Sequence, residues 1–231
     1  MTRGNPMPSM LRRYNELSAH LDHLLNTDPA LAVTQAREIS LDTPDRPNWM
    51  NLQASILVDG GALTQQQDAI EDGLALFREL YSSFPTSGVT YNLANGLVAA
   101  TGHPPSDRSW LDHQERTREY RSQARHCFWT VAQDMDADPS LRTQAWTNLA
   151  NQFSNSLRLG EAHDAKLAAL EIDPANGVAA ACAARDLLWL LDQGGCSDLT
   201  RTEAIMLAKI AHGSSCRVRW CARSKRNISF R

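Results

Sequence analysis

The residues of this 231-residue chain best suited to recognition chemistry are asparagines. Asn51, Asn92 and Asn148 hold one position in three segments that align without gaps, residues 49–56, 90–97 and 146–153. Asn95 and Asn151 follow two of them by three residues. A primary amide donates to one peptide carbonyl and accepts from the next N–H, so a row of amides could hold an extended backbone with little regard for its side chains. The same amides could instead bridge neighbouring helices and bind nothing.

Other reactive groupings are weaker. Arg121 and His126 share an Arg-x4-His spacing, as do Arg13/His20 in looser form, Arg108/His113 and Arg158/His163, and roughly two such matches arise by chance at this content of Arg and His. His212, Cys216 and Cys221 are three groups able to bind zinc, but a structural site wants a fourth ligand and tighter cysteine spacing, so incidental thiols are the expectation. His20 and His23 read as a solvated pair on the first helix. There is no Gly-rich phosphate loop, nucleophile elbow or paired-carboxylate arrangement. The reading is of a chain with no catalytic residues, no metal and no cofactor.

These groups must be carried by helices, because no period-2 pattern competes with the helical one. Leu17, Leu21, Leu24 and Leu25 make a first amphipathic stripe, and Thr27-Asp28-Pro29 starts a second helix running to Ile39. Trp49 and Pro85 bracket a hairpin with Asp59–Gln65 inserted between its helices, and Thr90 and Pro139 bracket another with Thr101–Asp107 inserted. In the third copy Trp146, Leu149 and Phe153 form one face, Leu159-Gly160 the turn, and Ala162, Ala165 and Ala169 a second helix closed at Pro174. Gly177–Leu191 reads as an Ala-rich helix, Gly194-Gly195 as a break, and Asp198–Ala211 as its partner.

The third copy resembles the tetratricopeptide repeat family, whose unit of about 34 residues has a large residue, Leu, a small residue and an aromatic, then small residues and a closing proline. Trp146, Leu149, Ala150, Phe153, Ala162, Ala169 and Pro174 fall on those positions; Lys166 stands where the second-helix aromatic belongs. The resemblance implies an all-α, α-α superhelix of about five hairpins over residues 9–213. It places Asn51, Asn92, Asn95, Asn148 and Asn151 on first helices facing a concave groove, with Arg185 in the corresponding helix of the last repeat. It implies a scaffold or adaptor that binds a protein or peptide, although the basic residues of the family's carboxylate clamp are missing. A second resemblance, through Arg121/His126, is to RNA-cleaving proteins of the HEPN superfamily, or to their regulatory repeat regions.

Composition sets outer bounds. With 42% hydrophobic and 21% charged residues the chain can build a core. Six of its 23 basic residues and no acid lie in residues 214–231, so 17 bases face 26 acids in the body, which carries about −9. That body repels nucleic acid, and only the basic, disorder-prone tail could attract it. A truncated or shifted reading frame would give the same abrupt change. Five thinly spread cysteines suggest a reducing compartment. No apolar leader core and no run near the roughly 18 residues of a membrane span is present, and a cytoplasmic location away from the membrane is the expectation.

Overall fold

The computed structural model describes residues 7–43, 45–102, 110–192 and 202–206. Among them are nine α-helices and no strand: α1 (Met7–Thr27), α2 (Pro29–Arg37), α3 (Arg46–Thr64), α4 (Gln67–Ser83), α5 (Ser87–Thr101), α6 (Trp110–Gln133), α7 (Pro139–Asn155), α8 (Leu159–Ile172) and α9 (Gly177–Asp192). Residues 202–206 are also helical. Neighbours in sequence pack as hairpins, α1 on α2, α3 on α4, α5 on α6 and α8 on α9. The chain forms two compact units that divide near residue 145.

Local chemistry explains most boundaries. Asp28 caps α2, its carboxylate accepting from the Leu31 N–H at 3.1 Å, and Pro29 begins the helix where its missing N–H costs nothing. Thr86 does the same for α5 through the Val89 N–H. Pro139 does not close the preceding helix, as the repeat pattern suggests; α6 has already ended at Gln133, and Pro139 opens α7 behind Asp138, which accepts from the Ser140 N–H at 2.8 Å. Leu159-Gly160 is likewise the start of α8 and not the turn. The reversal lies at Ser156–Arg158, with Leu157 left-handed at φ 58°.

The expected insertion at residues 59–65 is also revised. Asp59 to Thr64 continue α3, which stops only where Gln65 turns left-handed at φ 59°. Two adjacent glycines weaken a helix by about 1 kcal/mol each, but here they allow close packing. A Cβ on Gly60 would meet Val33 Cγ2 at 2.6 Å, and one on Gly61 would meet Ile70 Cγ1 at 2.9 Å. Tertiary contact with α2 and α4 therefore offsets the propensity. Residues 103–109, which hold most of the second expected insertion, and the tail 214–231 lie outside the described residues.

In the first unit, α1, α3 and α5 touch in series. Leu21, Leu24, Val33, Leu52, Ile56 and Leu57 form the core of its first part, with Leu17 and Leu25 packed against it. Trp49 on α3 meets Tyr14 on α1 edge to face, centroids 5.4 Å apart. In the second unit, Trp146, Leu149, Ala150 and Phe153 make the buried face of α7, and alanines dominate the buried positions of α8 and α9. Small side chains let such helices approach closely.

Candidate functional site

On the α3–α5 side of the first unit the helices leave a recess of about 280 Å³ lined by Ser55, Val58, Asp59, Phe77, Asn92, Asn95 and Gly96. Buried Val58, Phe77 and Gly96 form its floor. The polar lining follows from helix periodicity: Asn51, Ser55 and Asp59 recur every four residues on α3, and Asn92, Asn95 and Gly96 share a face of α5. Gly96 keeps the helices close, since a Cβ there would lie 3.0 Å from Leu74 Cδ2.

Asn92 Nδ2 donates to Asn51 Oδ1 at 2.9 Å, joining α3 to α5. That bond uses one of the two N–H donors of Asn92 and one lone pair of the Asn51 oxygen. The geometry leaves a donor pair on Asn51 and an acceptor on Asn92 for another partner. Asn95 lines the recess and also takes part in contacts within the protein. Asn148 and Asn151 belong to the second unit, on α7, where Asn148 is half-buried and Asn151 is exposed. The Arg185 side chain is 69% exposed and approaches Asp186 at 3.6 Å.

Two carboxylates that the repeat pattern does not single out belong to this region. Asp59 sits at the rim, and Asp22 on α1 acts on it electrostatically. Desolvation by surrounding atoms, and then the like charge of Asp22, hold the Asp59 carboxyl above its ordinary range even though its outer part meets solvent. The i, i+4, i+8 run of Asn51, Ser55 and Asp59 is the sequence signal for it, masked by the Gly60-Gly61 pair that favours a loop at this point.

A second recess, about 370 Å³, lies between α2, α3 and α4 and includes Arg37, Asp72, Gln53 and Leu57. Its charges are already matched. Arg37 pairs with Asp68 at 2.6 Å and Asp72 at 3.2 Å, and Glu79 pairs with Arg46 at 2.6 Å.

The second unit holds a buried polar cluster. Lys166 Nζ on α8 binds the Asp186 carboxylate on α9 and lies 3.4 Å from Ser154 Oγ on α7. The Lys166 and Asp186 side chains are only 1% and 3% exposed. His163, one turn before Lys166, is also buried, and its Nδ1 has no partner. Burial holds its imidazole below the usual value, against opposing contributions from Glu203, Asp164, Asp186 and a hydrogen bond to the Ala183 backbone.

None of the Arg–His spacings forms a paired site among the described residues. Arg121 and His126 are five positions apart on α6, which sets them about 140° apart around the helix. His20 is exposed and bonds Gln35 Oε1 at 3.0 Å, while Arg158 pairs with Glu161. Arg108 lies outside the described residues, as do His212, Cys216 and Cys221. Among the described residues no three His, Cys, Asp or Glu side chains are grouped to hold a metal, and no helix is long and apolar enough to cross a membrane.

Paired helices joined by short turns, with a polar recess between alternate helices, define an all-α protein of tetratricopeptide-like hairpins. The crystal structure of MamA, a tetratricopeptide-containing protein, is similar to this chain over 82% of its length and 90% of the MamA chain, with a TM-score of 0.50 and 12% identity. At that identity the likeness concerns the fold. No protein-family model matches the sequence, and no curated protein does.

Proposed function

We propose that this chain is a binding scaffold that takes up an extended peptide segment of a partner protein in the recess between α3 and α5. The observation that carries this reading is the preformed recess lined by Asn92 and Asn95, beside which the Asn92-to-Asn51 bond, by itself a contact between helices, leaves amide groups over. The amides are fixed on rigid helices with hydrogen-bonding capacity to spare, so a peptide backbone can bind without ordering the site first. On the second unit, taken by itself, Asn148, Asn151 and Arg185 would offer amide and charge contacts to a peptide. The tetratricopeptide-like fold supports a protein-interaction role.

The test begins with random peptides displayed on phage and selected against the full chain, followed by titration of the recovered sequences. Asn92→Ala/Asn95→Ala should weaken them about 30-fold, from two lost hydrogen bonds of about 1 kcal/mol each. Undiminished affinity in a double variant of native helicity refutes the recess as the site.

A further inference from the structure

We infer that the guest segment carries a lysine or arginine whose cationic head group docks beside Asp59, within the field of Asp22, while the Asn51 and Asn92 amides hold the adjoining backbone. The inference deepens the peptide-binding reading and rests on it.

Charge is the discriminating feature of this recess. None of its seven lining residues is basic, and one is a carboxylate. Several carboxylates of the first unit are neutralised by guanidinium partners, Glu16 by Arg12, Asp68 and Asp72 by Arg37, Glu79 by Arg46, and Glu71 by Arg116, and so offer no free charge to a guest. Asp59 has no cationic partner among the described residues, and its strongest charged neighbour is another acid. A carboxylate that is partly desolvated and unpaired is held at a cost that an incoming cation removes. Solvent exclusion by the guest strengthens that attraction further. An acidic segment meets the opposite situation, repelled by Asp59 and Asp22 and by a body of charge about −9. A bare metal ion is a poorer fit, because two carboxylates without a third ligand make an incomplete shell.

Three pools of fluorescein-labelled nonapeptides decide the matter, with the central residue fixed as Lys, as norleucine or as Glu and the other positions randomised over uncharged residues. Titrated into the full chain, the Lys pool should bind about tenfold tighter than the norleucine pool, with the Glu pool weakest. Asp59→Asn should bring the Lys pool to within about twofold of the norleucine pool and fold at least as stably because it removes a disfavoured charge. Neutralising a remote acid, Asp136→Asn, should change nothing. Equal binding of the three pools, or a lysine preference that survives both Asp59→Asn and Asp22→Asn, overturns the cation inference and leaves the recess reading standing if Asn92→Ala/Asn95→Ala still weakens every pool. Failure of all pools to bind removes both.

Discussion

The buried Lys166–Asp186 pair allows a quantitative test of how the second unit is held together. Lys166 joins α8 to α9 and approaches α7 through Ser154. Replacing it with Met keeps most of its volume but strands the Asp186 carboxylate, whose only remaining cation among the described residues is the largely exposed Arg185 at 3.6 Å. Both members of the pair are almost wholly removed from solvent, so screening by water gives little relief. Breaking a buried pair from one side costs about 3–5 kcal/mol, whereas replacing both members by apolar residues is often neutral or stabilising. Lys166→Met should therefore destabilise the second unit by about 3–5 kcal/mol, and Lys166→Met/Asp186→Leu should return to within about 1 kcal/mol of the parent, a coupling of several kcal/mol. Urea unfolding followed by tryptophan fluorescence, in a background where the first-unit Trp49, Trp110 and Trp129 are replaced by Phe, reports on this unit through Trp146 and the other tryptophans after residue 145. A single variant costing less than about 1 kcal/mol, or a double variant as unstable as the sum of the two single ones, refutes the assignment of the pair as an obligatory buried contact.

Trp146 is 4% exposed, and Trp146→Ala should cost about 3–5 kcal/mol by urea unfolding, because it leaves a cavity against closely packed alanine helices. His163 predicts a pH dependence. Burial holds its folded value below that of an ordinary imidazole, so the unfolded chain takes up the proton first and stability falls as pH drops below about 6.5 toward the lower folded value. Thermal melts at successively lower pH should show that loss, and His163→Leu, which also removes the unpartnered Nδ1, should flatten it; a wild-type curve that is level across this interval contradicts the assignment.

Sequence periodicity alone specified helical hairpins. Trp146, Leu149 and Phe153 recur at the spacing of one helix face, alanines recur on the next helix, and Asp28-Pro29 and Pro174 mark boundaries through local backbone chemistry that needs no tertiary partner. The asparagine register was visible for the same reason, since equivalent positions of a repeat fall on equivalent helix faces. The continuation of α3 through Gly60 and Gly61 was not visible, because glycine propensity argues for a break and only the closeness of Val33 and Ile70 reverses it. Nor could sequence decide that Asn51 and Asn92, 41 residues apart, share a hydrogen bond, or that Lys166, in a position where the repeat expects an aromatic, finds Asp186 on the following helix. A side chain's spacing along its own helix is fixed by backbone geometry; which charge or amide it meets across an interface depends on how close the helices come, and packing of the whole unit sets that distance.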